Sequence, residues 1–281
     1  MKTLAHISDL HFGTEDSRVA EGLVRDLRRI QPELVINSGD FTQRARRSQF
    51  KSAAEFMDRL PSPQLSVPGN HDVPLFDIFR RFLSPLGRYK KYISNELIPR
   101  YVDDDLTVLG INTTRSLTWK SGRISVHQID EMERILSSLP PTYFKIVVTH
   151  HPFLPPPGKE DTGVDLVGRA SSALEVLELY KVDLLLAGHL HHGYTGDVRA
   201  QYPSSERAII VAQAGTAISN RVRHEPNGYN VIRLKDKYIE IEVRRWSESD
   251  DTFTEAETIE FALEDGQWTA QKGTETTGAV L

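Results

Sequence analysis

Short apolar runs that end abruptly in polar residues, each followed by an amphipathic stretch, recur along the first two thirds of this chain and restrict its fold more than any other feature. Leu4 to Ile7 runs into Ser8-Asp9-Leu10-His11, after which Val19, Leu23, Val24, Leu27 and Ile30 recur at helical spacing until Pro32 stops them. Leu34-Val35-Ile36 leads to Gly39-Asp40, and Ser48 to Leu60 sets Phe50, Ala53, Ala54 and Met57 on one helical face. Leu65 to Val67 leads into Pro68-Gly69-Asn70-His71-Asp72. Thr107 to Ile111 reads as a strand, and a helix follows from the N-cap residue Ser125 to Leu139. Phe144 to Val148 ends in Thr149-His150-His151-Pro152. Ser171 to Tyr180 is helical in pattern, and Val182 to Leu186 ends in Ala187-Gly188-His189-Leu190-His191.

Strand and helix in alternation predict an α/β fold, and open α/β sheets gather ligand sites beyond the carboxyl ends of their strands. Polar clusters far apart in sequence are thereby expected to meet in one pocket. From about Ala208 the pattern changes to β-runs (Ile209 to Ala212, Tyr229 to Leu234, Ile239 to Val243), which predict a second, mainly antiparallel sheet. The expected organisation is one domain over residues 1–262 and a polar, Gly- and Thr-rich, flexible tail over 263–281.

Composition narrows the chemistry. The chain has no cysteine, so disulfides, thiolate metal sites and a cysteine nucleophile are excluded, and any metal must be held by nitrogen and oxygen. A net charge of -5 argues against a broad electropositive nucleic-acid surface. No apolar run reaches bilayer length and the first residues do not read as a signal peptide, so the expectation is a cytoplasmic protein, monomer or homodimer, without a membrane partner.

The strand ends offer Asp9, His11, Asp40, Asn70, His71, His150, His189 and His191, which include five of the ten histidines. Imidazole and carboxylate without thiolate suit Mn, Fe, Co, Ni or Zn better than Ca, which prefers an all-oxygen shell. Two ions about 3.5 to 4 Å apart need a carboxylate that contacts both, and one central aspartate suffices for that.

Asp9-Leu10-His11, Gly39-Asp40, Gly69-Asn70-His71-Asp72, His150 before His151-Pro152, and Gly188-His189-Leu190-His191 together resemble the calcineurin-like metallophosphoesterase superfamily, with all blocks in the family's order. The resemblance implies a four-layer α/β/β/α sandwich of two mixed sheets flanked by helices. It also implies two divalent metal ions, Mn, Fe or Zn before Co, Ni or Mg. Asp9, His11, Asp40 and His191 would hold the first ion, and Asp40, Asn70, His150 and His189 the second, with Asp40 bridging. The implied reaction is attack of a metal-bridging hydroxide on a phosphoester. His71 would act at the phosphoryl group or protonate the leaving alkoxide, Asn70 would orient phosphoryl oxygens, and Asp72 would position His71.

Other residues carry weaker signals. His6 and His151 flank ligands and read as packing or supporting groups. His192 is a candidate substrate contact or simply exposed. Arg44, Arg46 and Arg47 either meet an anionic substrate or form a solvated helix start. The Pro- and Gly-rich loop from Pro152 to Gly168 is either a lid or a stiff connector.

Within the superfamily, Ser8-Asp9-Leu10-His11 and Gly122-Arg123-Ile124 ahead of a helix are similar to bacterial cyclic-nucleotide and glycerophosphodiester phosphodiesterases. The resemblance therefore implies hydrolysis of a small-molecule phosphodiester. A phosphomonoesterase using the same metals and a DNA-processing nuclease of the double-strand-break repair type are the alternatives. A lipid-precursor pyrophosphatase is disfavoured because no strongly hydrophobic amphipathic insertion is evident and His71 is present. A non-catalytic scaffold would have lost ligands, and none is lost.

Overall fold

In this computed structural model residues 1–158, 163–221 and 225–271 are described. The elements run β1 (Lys2–Ile7), α1 (Ser17–Ile30), β2 (Leu34–Asn37), α2 (Arg47–Met57), β3 (Gln64–Ser66), α3 (Ile78–Leu83), α4 (Gly87–Tyr92), β4 (Arg100–Val102), β5 (Leu106–Gly110) and α5 (Val126–Ser137). They continue through β6 (Phe144–Val148), α6 (Ala170–Leu179), β7 (Leu184–Ala187), β8 (Tyr194–Asp197), β9 (Ile210–Gln213), β10 (Gly228–Lys235), β11 (Tyr238–Ser247), β12 (Thr252–Glu264) and β13 (Gln267–Ala270). Asp16 caps α1 by accepting from the Arg18 and Val19 amides, and Ser125 caps α5 through the amide of Gln128, so local signals set both helix starts.

One sheet has the order β13-β12-β11-β10-β1-β2-β3 and the other β4-β5-β6-β7-β9-β8. Alternation along β1 shows how the layers are joined. Leu4 packs with Leu34, Val108 and Ile146 between the sheets, whereas Ala5 and Ile7 pack with Leu23 and Phe50 beneath the helices. A third cluster, including Val147, Leu174 and Met132, lies between the second sheet and α5 and α6. The result is the expected four-layer sandwich with both sheets mixed. No described helix is long and apolar enough to cross a membrane.

Two expectations are corrected. The β-runs after Ala208 do not make a separate antiparallel sheet. β9 joins the second sheet parallel to β7, and β10 pairs antiparallel with β1 from Lys2↔Leu234 to His6↔Asn230, so the C-terminal strands extend the first sheet. The domain does not end at residue 262 either, because β12 reaches Glu264 and β13 runs to Ala270. Trp268 is buried there, and its Nε1 donates to Asp183 Oδ1 at 3.1 Å. Residues 272–281 of the expected tail lie outside the described residues, as do 159–162 of the loop after His150. The flanks of that loop are anchored, with Phe153, Leu154 and Val167 in the core.

Candidate metal centre

The carboxyl ends of β1, β2, β3, β6 and β7 deliver the polar clusters to one place, and the backbone bends sharply to do so. Asp9, His11, Asp40, His189 and His191 all have left-handed φ values, between 47° and 78°. That conformation costs a non-glycine residue on the order of 1 kcal/mol and gathers where side chains must be aimed at a site. Gly69 lets the two loops touch, since a Cβ there would overlap the Asp40 carboxylate.

Two sets of donor atoms result. In the first, His11 Nε2 lies 3.1 Å from His191 Nε2 and 3.4 Å from Asp9 Oδ1, and His191 Nε2 lies 3.3 Å from Asp9 Oδ1. In the second, Asn70 Oδ1 lies 3.1 Å from His150 Nε2 and 3.0 Å from His189 Nδ1. Asp40 Oδ2 stands between the sets, 3.6 Å from His11 Nε2 and 3.4 Å from His150 Nε2, while Asp40 Oδ1 accepts the His71 amide at 2.8 Å.

Surrounding hydrogen bonds fix which atoms face inward. His150 Nδ1 donates to the Ser38 carbonyl at 2.8 Å and His191 Nδ1 to the Arg221 carbonyl at 3.1 Å, leaving each Nε2 toward the cluster. Asn70 Nδ2 donates to the Trp119 carbonyl at 3.2 Å, which orients its oxygen toward the imidazoles. Asp9 Oδ2 accepts from Ser8 Oγ at 2.7 Å and the His189 amide at 2.9 Å. The other oxygen, Oδ1, is buried with no hydrogen-bond partner, among three groups rich in lone pairs. A buried orphan of that kind is costly unless a cation satisfies it, so the donor set fits divalent metal ions.

Protonation follows the same logic. Burial works against the Asp9 and Asp40 charges, but the neighbouring imidazoles outweigh it and hold both carboxyls well below the usual range. Burial pushes His189 down to about 3 and His191 to about 4, keeping them neutral and able to bind metal. His150 is the exception: burial lowers it, yet the Asp40 carboxylate raises it to about 9, a sign that this position favours positive charge.

Other predicted residues divide. His71 is beside the cluster, its ring 4.8 Å from that of His11, and its Nδ1 donates to the Gln43 carbonyl at 2.9 Å. The Asp72 carboxylate makes no hydrogen bond to the His71 ring, contrary to expectation. Its carboxylate accepts the amides of Gly69 (3.0 Å), Phe41 (3.2 Å) and Thr42 (3.0 Å), and so ties the Asp40 loop to the Asn70 loop. Burial and the nearby Asp40 charge push Asp72 up to about 7. His151 adjoins His150 and His189, but Nε2 donates to the Lys120 carbonyl at 2.7 Å and Nδ1 meets Thr113 Oγ1 at 2.7 Å, so neither nitrogen is left for a metal. His6 is a buried support on Ser38 Oγ at 2.9 Å. His192 turns to Glu225 at 2.8 Å and does not line the cavity beside His71. Arg47 turns to Tyr92, whereas Arg44 does line that cavity.

Sequence reasoning missed Arg221, which no motif marks. It follows β9 and brings Nη1 to 3.1 Å from His71 Nε2, 3.5 Å from His11 Nε2 and 3.2 Å from Gln43 Oε1. The cavity outside the donor cluster, about 230 Å3, has Arg44, Lys120 and Arg221 among its walls together with Val73, Leu75 and Trp119.

The chain is similar to known proteins. Residues 2–193 match the family model described as calcineurin-like phosphoesterase. The chain is 23% identical over 205 residues to a probable cyclic nucleotide phosphodiesterase of Synechococcus sp., covering 68% of this chain and 74% of that protein. It is 30% identical over 166 residues to the glycerophosphodiester phosphodiesterase GpdQ of Enterobacter lignolyticus, covering 54% of this chain and 57% of that one. The solved structure of purple acid phosphatase PPD1 from yellow lupin seeds shares the fold, with a TM-score of 0.65 and 13% identity over 92% of this chain and 53% of that one. The alignments thus span just over half the length of GpdQ and of the lupin enzyme. The family match opens in β1 and closes just past His191, so it contains every member of both donor sets, and the chain belongs to the calcineurin-like phosphoesterase family of metal-dependent phosphoester hydrolases.

Proposed function

We propose that the chain is a dinuclear-metal phosphodiesterase acting on a small diester of the cyclic nucleotide or glycerophosphodiester type. The position of Asp40 carries this reading, with one carboxylate oxygen facing both donor sets and the other fixed by the His71 amide. Asp9, His11, Asp40 and His191 would hold one ion, and Asp40, Asn70, His150 and His189 would hold the other. The nitrogen and oxygen donors favour Mn, Fe or Zn. When bound, such ions neutralise phosphoryl charge and lower the pKa of a water toward neutrality.

The chain's own residues do the rest. Arg221 anchors a phosphoryl oxygen at the mouth, where its guanidinium supplies paired donors. His71, with its Nδ1–H committed to Gln43, presents Nε2 to the reacting group; as the imidazolium it stabilises the developing charge and gives its Nε2 proton to the leaving alkoxide, which returns the ring to the neutral Nδ1–H tautomer. Asp72 keeps the Asp40 and Asn70 loops in register. Two unlike walls support a diester over a monoester. Arg44, Lys120 and Arg221 suit the anionic centre, and Leu75 and Trp119 leave an apolar side for a second ester group. The names of both sequence relatives point the same way.

The test is turnover of cyclic nucleotides, glycerophosphodiesters, nucleic acids and monoesters by chain reconstituted separately with Mn, Fe, Zn and Mg. A small diester should give the highest kcat/KM. Equal or better monoester rates would move the reading to a phosphomonoesterase, and preference for a polynucleotide would move it to a nuclease.

A further inference from the structure

Helix α3 is inverted relative to an ordinary surface helix. Its Arg81 is only 5% exposed and donates to the carbonyls of Ser116 (2.7 Å), Thr118 (2.5 Å) and Pro74 (2.9 Å). Its apolar Ile78, Phe79, Phe82 and Leu83 are instead 54 to 82% exposed. The pairs Ile78 with Phe82 and Phe79 with Leu83 are four residues apart, so these side chains share one face. Leu117 and Trp119, in the segment that Arg81 holds, are also exposed. Scattered exposed apolar residues are ordinary, but a grouped set marks a surface that something covers. Trp119 lines the catalytic cavity as well, so this surface reaches the mouth of the site.

Charge indicates what covers it. Residues 78–95 and 106–129 contain no acidic residue, in a chain of net charge -5, and their exposed cations are Arg80, Lys90, Lys91, Lys120 and Arg123. Arg80 pairs with Asp77 at 2.9 Å, while Lys90, Lys91 and Lys120 are exposed. Lys90 and Leu83 line the same groove of about 340 Å3, so cation and apolar side chain are interleaved. A second copy docked through this face by a two-fold axis would set cations against cations. An anionic lipid surface satisfies both features: aromatic and aliphatic side chains enter the interfacial layer, and lysines meet the headgroups.

We propose that α3 and the Leu117–Lys120 segment dock the protein on an anionic phospholipid surface, with the catalytic mouth opening beside it. Resting on the phosphodiesterase reading, this makes the substrate a phosphodiester carried in, or released at, a lipid surface. The test is co-sedimentation of the metal-loaded full chain with vesicles of phosphatidylcholine alone and of equal parts phosphatidylcholine and phosphatidylglycerol. Turnover of a soluble bis-aryl phosphate and sedimentation velocity are measured beside it. Anionic vesicles should bind the protein, salt should release it, and Phe79→Ser with Leu83→Ser should weaken binding about tenfold or more. Soluble turnover should be unchanged, and Lys90→Gln with Lys91→Gln should cost about fivefold per charge. The proposal is overturned by absence of binding to anionic vesicles or by equal binding of the Phe79/Leu83 variant. It is equally overturned by a wild-type dimer that this variant converts to monomer. Failure of soluble turnover in the wild type would instead strike the phosphodiesterase reading and leave the vesicle result standing.

Discussion

Arg221 Nη1 lies 3.1 Å from His71 Nε2 and 3.2 Å from Gln43 Oε1, while the Gln43 carbonyl takes the Nδ1 proton of the same imidazole at 2.9 Å. Gln43 therefore holds both the histidine and the arginine, and fixes His71 in the tautomer whose Nε2 faces the cavity.

Arg221→Ala should lower kcat/KM for a soluble diester about 100-fold, the usual effect of removing one donor from a site of developing charge. Arg221→Lys should recover part of it, because a point charge replaces the fork. Metal content should not change, as the Arg221 side chain is outside both donor sets. Steady-state kinetics with elemental analysis checks this, and loss of metal in Arg221→Ala would show a structural role instead.

His71→Ala should keep its metal and lose roughly 100 to 10,000-fold in kcat. Its ring touches the cluster edge, but its Nδ1 is spent on Gln43 and its Nε2 faces Arg221. Unchanged turnover in a folded, metal-loaded His71→Ala chain removes His71 from the chemistry.

Gly69→Ala should disturb the centre without a change of charge. A Cβ at residue 69 would overlap the Asp40 carboxylate and the Asp40 amide, forcing apart loops that Asp72 ties together. Metal affinity should fall about 10 to 100-fold, the range typical of lost outer support. Competition with a chromophoric chelator reads this directly.

Asp26→Asn should separate stability from activity. Asp26 is buried on α1, where Oδ2 accepts from Arg244 Nε at 2.7 Å and from the Tyr229 hydroxyl at 2.6 Å. Leaving the Arg244 charge with Glu242 as its one ion-pair partner among the described residues should cost about 3 to 5 kcal/mol in denaturant unfolding. Turnover per folded molecule should remain, because neither residue contacts the donor sets.

The donor residues that the fold gathers were legible because strand ends bring them together and each sits in a short fixed motif. Asp9, Asp40, Asn70 and the histidines could be placed without knowing which strands pair. Arg221 could not, since it stands in a loop after β9 and reaches His71 only through pairings that span the chain. Distance in sequence also hid the attachment of β10 to β1, because alternation in Tyr229 to Leu234 describes a strand but not its neighbour. Trp268 was the one signal that the polar C-terminal stretch still held a buried strand. The face of α3 was missed for a different reason. No motif marks residues 78–83, and only the three carbonyls around Arg81 reveal that the helix is turned outward.

The most direct measurement is metal stoichiometry in the wild type and in Asp40→Asn, each stripped, reconstituted with Mn, desalted and assayed on a soluble diester. Wild type should hold two ions per chain and turn over only when loaded. Asp40→Asn should hold fewer and lose more activity than His71→Ala, because its Oδ2 stands between both donor sets. Two ions and near-normal turnover in Asp40→Asn, or turnover by the stripped wild type, would contradict a dinuclear centre bridged by Asp40.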